Sequence, residues 1–510
     1  MIIDGIGING VTCDSRKVKK GDAFVAVRGE KSDGNLFIKE AVKNGASIIF
    51  TDSHNIDEDA LDKKNIKVKK VSNTRKKLAQ LCNEFYNFPS EKLKVIGVTG
   101  TNGKTTTSHL IYKILKDAGV SVGLIGTLYV KINDKTYKTN LTTPDQEQIF
   151  HYLSLMEKED VQVVVMEVSS HALESYRVFG IDFDIAIHTN IGRDHLDFHK
   201  TMENYIASKK KLFDSLSTGK IALINLDDEH GLKLLDKNND IIVLTYGLNQ
   251  RSTITASSLD IDFNVSFTYC LQRGLTTLTG AELEPFEFPI SLNLLGRHNM
   301  YNALPAITTC LLLDIPISKI SKSLKEIQSV PRRMEIVYQK DICIIDDFCH
   351  NPLSYEAVFQ TIQNMSFCNL HIVNAIRGNR GKKVNDEIAS VIQNWAKILN
   401  VKNVFLTSSR DCVSGNDYVT EEERDAFFST LKNGQIIFQY EDRLFDAIKK
   451  TISYMKKGDM LLLLGAQGMN MGAKLALMLV EDYINKTNFD LNNHENLMRG
   501  NSNYLRELHH

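Results

Sequence analysis

The sequence predicts an α/β protein of three domains. Three observations carry this. The β-branched run Val95-Ile96-Gly97-Val98 breaks into a glycine loop that opens a helical pattern. Strand-like and helix-like stretches alternate through residues 331–485. A chain of 510 residues is long enough for about three domains, each with its own core.

The organising stretch is 95–107. A buried strand (Val95, Ile96, Val98) runs into Thr99-Gly100-Thr101-Asn102-Gly103-Lys104-Thr105-Thr106-Thr107, and Leu110, Ile111, Ile114 and Leu115 then repeat with helical spacing. Backbone N–H groups at a helix N-terminus face an anion, a lysine adds a full charge, and a hydroxyl is offered to Mg²⁺. Gly100, Thr101, Asn102, Gly103, Lys104, Thr105 and Thr106 are therefore the residues expected to bind a nucleoside triphosphate. The loop is a short variant, because Val98 stands where the longer pattern has its first glycine.

Bulk properties narrow the class. The chain is 43% hydrophobic and 24% charged with a net charge of −1, so nothing in its charge calls for nucleic acid or an anionic membrane. No apolar run approaches the roughly 20 residues of a spanning helix, and the start Met1-Ile2-Ile3-Asp4-Gly5 lacks a signal-peptide pattern. Eight cysteines lie singly, without a C-x-x-C pair, as expected of reduced thiols in the cytoplasm.

In chain order, residues 1–90 read as a small α/β domain. Strand-like runs (Ala23–Val27, Ala46–Phe50, Ile66–Val71) alternate with helical ones (Phe37–Asn44, Arg75–Phe85), and Asn87-Phe88-Pro89-Ser90 is a linker. Asp14-Ser15-Arg16 and Gly29–Gly34 read locally as solvated turns. Residues 91–330 are the nucleotide-binding domain. There Val161–Val165 leads to Glu167, a carboxylate at a strand end where a Mg²⁺ ligand is needed. Ile185–Asn190 is followed by Asp194-His195-Leu196-Asp197-Phe198-His199, a cluster suited to metal or phosphate. The helix Tyr205–Phe213 carries Lys209, Lys210 and Lys211, among which the residues alone do not choose. Asn299 and Asn302 open another helix, as caps or as base-recognition groups. Residues 331–486 form the third domain, expected to hold a mostly parallel sheet. Its polar clusters Asp346–Pro352 and Arg377–Lys383 follow strands, where open α/β sheets bind ligands. Residues 487–510 read as a disordered polar tail.

With these stretches in view, the chain resembles the Mur ligases, the ATP-dependent amide-forming enzymes of peptidoglycan precursor synthesis. The resemblance covers about residues 8–480 and is nearest to the branch that extends UDP-MurNAc-L-Ala-D-Glu by one amino acid. It rests on Asp14-Ser15-Arg16 with Gly29–Gly34, Thr99–Thr107, Thr142-Thr143-Pro144-Asp145, Glu167–Leu173 with Arg177, Asn190–His199 and Tyr205–Phe213. Gly296–Leu304, Arg333-Met334-Glu335 and Asp347–Pro352 add to it.

The resemblance implies a three-domain Mur ligase architecture, with a domain for the UDP-sugar, a central P-loop ATPase domain and a Rossmann-like C-terminal domain. It implies ATP and two Mg²⁺ ions, with a carbamoylated Lys209, Glu167, His195 and Thr105 as metal ligands, and Lys104, Lys209, His195 and Glu167 as catalytic residues. Asn299 and Asn302 would lie near adenine, and Arg333, Asp347 and His350 would meet the nucleotide. Ser15, Thr142, Thr143, Ser169 and Arg177 would contact the UDP-MurNAc-dipeptide. Arg380 would hold the α-carboxylate of a free amino acid, and the protein would act as a monomer.

The amine side departs from the pattern. Members that take meso-diaminopimelate carry Asp-Asn-Pro-Arg where this chain has Ser409-Arg410-Asp411-Cys412. Their Gly-His-Glu reads Gly468-Met469-Asn470. Ser409, Arg410 and Asn470 thus belong to a rebuilt amino-acid pocket, and diaminopimelate is disfavoured. Two other readings stand beside this one, a related ligase in a specialised pathway and a non-catalytic scaffold.

Overall fold

The computed structural model describes residues 1–481 apart from 30–31, 55–60, 62–64, 236–239, 250, 262–263 and 402; the expected tail at 487–510 lies outside the described residues. The chain divides into two compact units, Met1–Gln328 and Ser329–His510.

The first unit begins with a parallel sheet of Val11–Thr12, Ala23–Val25, Ile48–Thr51 and Lys67–Lys70. Its larger sheet is eleven-stranded. The phosphate-loop strand Lys94–Thr99 lies in the interior of that sheet, flanked in parallel by Val163–Glu167 and Ile185–His188. Val95, Ile96 and Val98 are fully buried because helices cover both faces of a parallel sheet, which favours β-branched runs over alternation. One apolar core joins Ala23, Val25, Ile48 and Phe50 to Leu78, Val95, Val164 and Met166, so segments 1–90 and 91 onward share an interior. The sheet then extends through Ile221–Asn225 and Ile242–Tyr246 to a meander of Ile254–Ile261, Val265–Leu271 and Phe286–Leu292. In that meander Val265, Phe267 and Tyr269 face the core and Ser266 and Thr268 do not, the period-2 pattern of a strand covered on one face.

The second unit carries a six-stranded sheet in the order Glu335–Gln339, Cys343–Asp347, Met460–Leu464, Leu370–Ala375, Asn403–Thr407, Phe438–Glu441. All neighbours are parallel except the first pair, so the parallel sheet gains one antiparallel edge. The helices Pro352–Ile362, Lys382–Ile398, Glu421–Asn433 and Leu444–Tyr454, with a further one at 472–481, connect and flank the strands. The loops after Cys343–Asp347, Met460–Leu464, Leu370–Ala375 and Asn403–Thr407 consequently emerge on one edge. Among the described residues, no helix is long and apolar enough to cross a membrane.

Candidate active site

The site grows from the glycine loop between Thr99 and the helix Lys104–Asp117. Gly100 and Gly103 have φ of 152° and 89°. A Cβ would lie 1.8 Å from Thr189 Oγ1 at the first and 2.4 Å from Asn302 Oδ1 at the second. Only glycine fits either place without strain. Thr101 N–H donates to Asn190 O (2.7 Å), Asn102 N–H to Asn190 Oδ1 (3.0 Å), and Thr101 Oγ1 pairs with Tyr205 OH (2.9 Å).

Two lysines converge on one carbonyl. Lys104 Nζ donates to Gly100 O (2.8 Å) and Thr101 O (2.9 Å), and Lys209 Nζ donates to the same Gly100 O (2.8 Å). Lys209 is 1% exposed and its amine stands 4.6 Å over the Tyr205 ring. Burial, with the neighbouring Lys104 charge, holds the Lys209 amine well below the usual ammonium range; Asp194 offsets this only in part.

Glu167, fully buried, is the second focus. Thr105 Oγ1 donates to its Oε2 (2.8 Å), Thr127 Oγ1 to the same oxygen (2.9 Å), and Thr127 N–H to Oε1 (2.8 Å). The network continues from Thr127 to Thr142 (3.1 Å). From the Glu167 carbonyl it runs through Thr143 Oγ1 (2.8 Å) to Ser169 N–H (3.0 Å), and Arg177 Nη1 holds Thr143 O (2.9 Å). The Glu167 carboxylate and the Thr105 hydroxyl are hard oxygen donors side by side, a set that suits Mg²⁺. Lys209 becomes an oxygen donor only as a carbamate. Among the described residues, no group of three or more His, Cys, Asp or Glu is arranged to hold a metal.

His195 has φ +52° and opens the short helix Leu196–His199. Its ring lies edge-on to His171 at 4.6 Å and 3.6 Å from Asp194 Oδ2. Burial, then His199 and Arg177, lower the His171 pKa to about 4. Asn299 and Asn302 are buried behind the loop. Asn302 Nδ2 donates to Asn299 Oδ1 (2.9 Å) and Asn299 Nδ2 to Leu295 O (2.7 Å); neither residue is the helix cap, which is Arg297. Ser15 lies on the small sheet's side, its hydroxyl donating to Glu40 (2.5 Å).

In the second unit, Asp347 takes Met334 N–H (2.8 Å) and the Cys349 thiol (3.0 Å), Arg333 lies 5.0 Å over the Phe348 ring, and His350 Nδ1 is 3.2 Å from Phe348 O. Arg380 stands on the 376–381 loop, whose Asn379, Arg380 and Gly381 N–H groups all donate to Glu423 (3.0, 2.7 and 2.7 Å). Ser409 is fully buried, 3.2 Å from where a Cβ on Gly468 would lie, while the Arg410 side chain is 62% exposed and 3.9 Å from Asp442. Asp411 caps the helix Leu444–Tyr454 through Leu444 N–H (2.8 Å) and Phe445 N–H (3.2 Å). Asn470 Oδ1 accepts from Arg332 Nη1 (2.5 Å).

Sequence reasoning missed Thr127, Tyr205, Arg332 and Glu423. Only Glu423 left a local signal, the capping box Thr420-x-x-Glu423.

A lysine and a hydroxyl at the start of a helix, a buried carboxylate across from them and flanking parallel strands define a phosphate-binding site of the P-loop kind. Residues 7–86 match the Mur ligase family catalytic domain, 98–310 the Mur ligase middle domain, and 332–467 the Mur ligase glutamate ligase domain. The chain belongs to the Mur ligase family. It is 35% identical over 470 residues to the UDP-N-acetylmuramoyl-L-alanyl-D-glutamate–2,6-diaminopimelate ligase of Aquifex aeolicus, covering 90% of this chain and 88% of that one. Identity to the Clostridium botulinum ligase of the same name is 35% over 465 residues, covering 90% of each. A solved structure of a ligase of that name has TM-score 0.62 at 24% identity, covering 90% of this chain and 89% of the other. MurF from Thermotoga maritima in complex with ADP has 0.61 at 20%, covering 95% and 100%. At those identities the structural likeness speaks for the fold.

Proposed function

We propose that this ATP-dependent ligase joins a free amino acid to UDP-MurNAc-L-Ala-D-Glu through an acyl phosphate, and that the amino acid is not meso-diaminopimelate. The observation that carries the reading is the network from Thr105, the residue after Lys104, through Glu167 to Thr143, Ser169 and Arg177. It links the residues assigned to ATP with those assigned to the sugar-peptide. The domain limits 1–90, 91–330 and 331–486, and Ser15, Asn299, Asn302, Arg333, Asp347, His350 and Arg380 in the roles the resemblance implies, belong to the same proposal.

A carboxylate and an amine do not condense in water, so the acid must first be activated. A carboxylate oxygen of the substrate takes the γ-phosphoryl group and ADP leaves; the amine nitrogen then attacks the carbonyl carbon, phosphate leaves and the amine loses a proton. Lys104 balances charge on the phosphates, while Thr143, Ser169 and Arg177 orient the carboxyl group. Two Mg²⁺ ions, held by Thr105, Glu167, His195 and Lys209 as its carbamate, would supply further positive charge at the transferring group. Supporting the carbamate is the chemistry of Lys209, a buried amine beside a second lysine, whose neutral form reacts with CO₂.

The changed stretches Ser409-Arg410-Asp411-Cys412 and Gly468-Met469-Asn470 favour an acceptor other than diaminopimelate, and they also favour the second reading, a related ligase in a specialised pathway. Thermal melts separate the two. UDP-MurNAc-L-Ala-D-Glu should raise Tm in the presence of Mg²⁺ and a non-hydrolysable ATP analogue. A shift with nucleotide and none with the sugar-peptide contradicts the cell-wall reading.

A further inference from the structure

A heavily bonded side chain at the C-terminal edge of the second sheet is Arg332, which neither the motifs nor the proposed chemistry uses. Its side chain is 13% exposed. Nε donates to Asp346 Oδ2 (3.1 Å), Nη1 to Ala466 O (3.0 Å) and Asn470 Oδ1 (2.5 Å), and Nη2 to Gly465 O (2.6 Å). The cation also lies 5.0 Å over the Phe348 ring. Its main chain is fixed as well, N–H to Glu335 Oε2 (2.8 Å) and C=O from Phe348 N–H (2.8 Å), with φ at +57°. A non-glycine residue in the left-handed region is strained, so the contacts hold a conformation the chain would otherwise avoid.

One of these partners, Asn470, is a residue the resemblance puts on the amine side of the amino-acid pocket. There Asn470 replaces a carboxylate, and its oxygen faces Arg332. Two carbonyls, one side-chain amide oxygen and the carboxylate of Asp346 could each have received an ammonium, but all four point at one guanidinium. An ammonium brought here would meet a like charge in a poorly solvated place whose nearest acceptors are already engaged.

We infer that Arg332 is the specificity-determining residue of the amino-acid pocket, closing it to acceptors with an ammonium on the side chain and leaving it to amino acids whose side chains lack one. This rests on the ligase reading above. Asp346 serves as the counter-ion that keeps the guanidinium in place.

The test is phosphate release from MgATP by the full chain with UDP-MurNAc-L-Ala-D-Glu and an acceptor panel of neutral, acidic and diamino acids. The wild type should turn over with acceptors lacking a side-chain ammonium and poorly with lysine or diaminopimelate. Arg332→Met, which keeps the bulk and removes the donors, should raise kcat/KM for diamino acids relative to the best wild-type acceptor at least tenfold. Arg332→Lys keeps a charge beside Asp346 but cannot span four acceptors, and should raise the ratio about threefold even if the Met variant fails to fold. A merely structural role would lower all acceptors together and leave the ratio alone. A wild type that prefers a diamino acid, or a ratio unchanged in both folded variants, overturns the assignment while leaving the ligase activity intact; a preference for diaminopimelate also overturns the acceptor proposed above. A wild type that releases no phosphate with any acceptor and shows no Tm shift with the sugar-peptide overturns both.

Discussion

Replacing Glu423 by Gln should loosen the loop that presents Arg380. Glu423 is 2% exposed and its carboxylate accepts five hydrogen bonds. Oε1 takes Arg380 and Gly381 N–H, and Oε2 takes Asn379 N–H, Thr420 N–H and Thr420 Oγ1, at 2.7–3.1 Å. A glutamine turns one of those oxygens into an NH₂ group that opposes at least two N–H donors. Hydrogen bonds to a charged acceptor contribute about 1.5–3 kcal/mol each; since the freed loop recovers part from water, a net loss of about 2–4 kcal/mol is expected. Burial raises this carboxyl's pKa, but the N–H groups of Thr420, Arg380, Gly381 and Asn379 outweigh it and hold the group below its ordinary 4.5. The folded value is depressed, so its stabilisation is present above that pH and lost as pH falls. The only tryptophan, Trp395, sits in the helix Lys382–Ile398 that follows the loop, and its fluorescence should follow urea unfolding of this unit. The variant should show an earlier midpoint and a flatter loss of stability on acidification. An unchanged midpoint together with an unchanged acid limb would refute the role given to Glu423.

Lys209→Ala should abolish phosphate release, with partial rescue by short carboxylic acids that replace the carbamate; undiminished turnover would remove Lys209 from the chemistry. Gly103→Ala places a Cβ 2.4 Å from Asn302 Oδ1 at φ +89°, and should weaken ATP-analogue binding at least tenfold in calorimetry. Thr105→Val removes the hydroxyl bound to Glu167 and should raise the Mg²⁺ concentration needed for half-maximal turnover, with little change in the KM for the sugar-peptide. Burial raises Asp346 from 3.8 to about 6 against the pull of Arg332. The native state then holds the extra proton, and about 3 kcal/mol of stability is lost as pH rises from about 4 through 6. Asp346→Asn should remove that part of the slope in urea titrations at stepped pH.

How far the sequence spoke depended on distance along the chain. The phosphate loop was legible because its glycines, lysine and hydroxyls act within a few residues of each other. The alternation of strands and helices after 331 was legible because it follows local periodicity. The meander at 254–292 was not read, and its alternating Val265, Phe267 and Tyr269 show that the signal was there. Nothing local distinguishes Lys209 from Lys210 and Lys211 without the family resemblance. What sets it apart physically is the carbonyl of Gly100, 109 positions away. Arg332 lies in the boundary stretch before the third domain with no local signal of a role, and only the sheet brings Gly465, Ala466 and Asn470 to it. Glu423 announced its capping box but not the second task of gathering the 379–381 loop.

The most direct test of the ligase reading is a coupled measurement of phosphate and product mass. The protein, pre-equilibrated with bicarbonate, is given MgATP, UDP-MurNAc-L-Ala-D-Glu and a mixed pool of amino acids. Phosphate release that requires the sugar-peptide and an amino acid, with one new amide formed per phosphate, is the predicted result. Phosphate released equally without the sugar-peptide, or no product from a folded, nucleotide-binding protein, would contradict it.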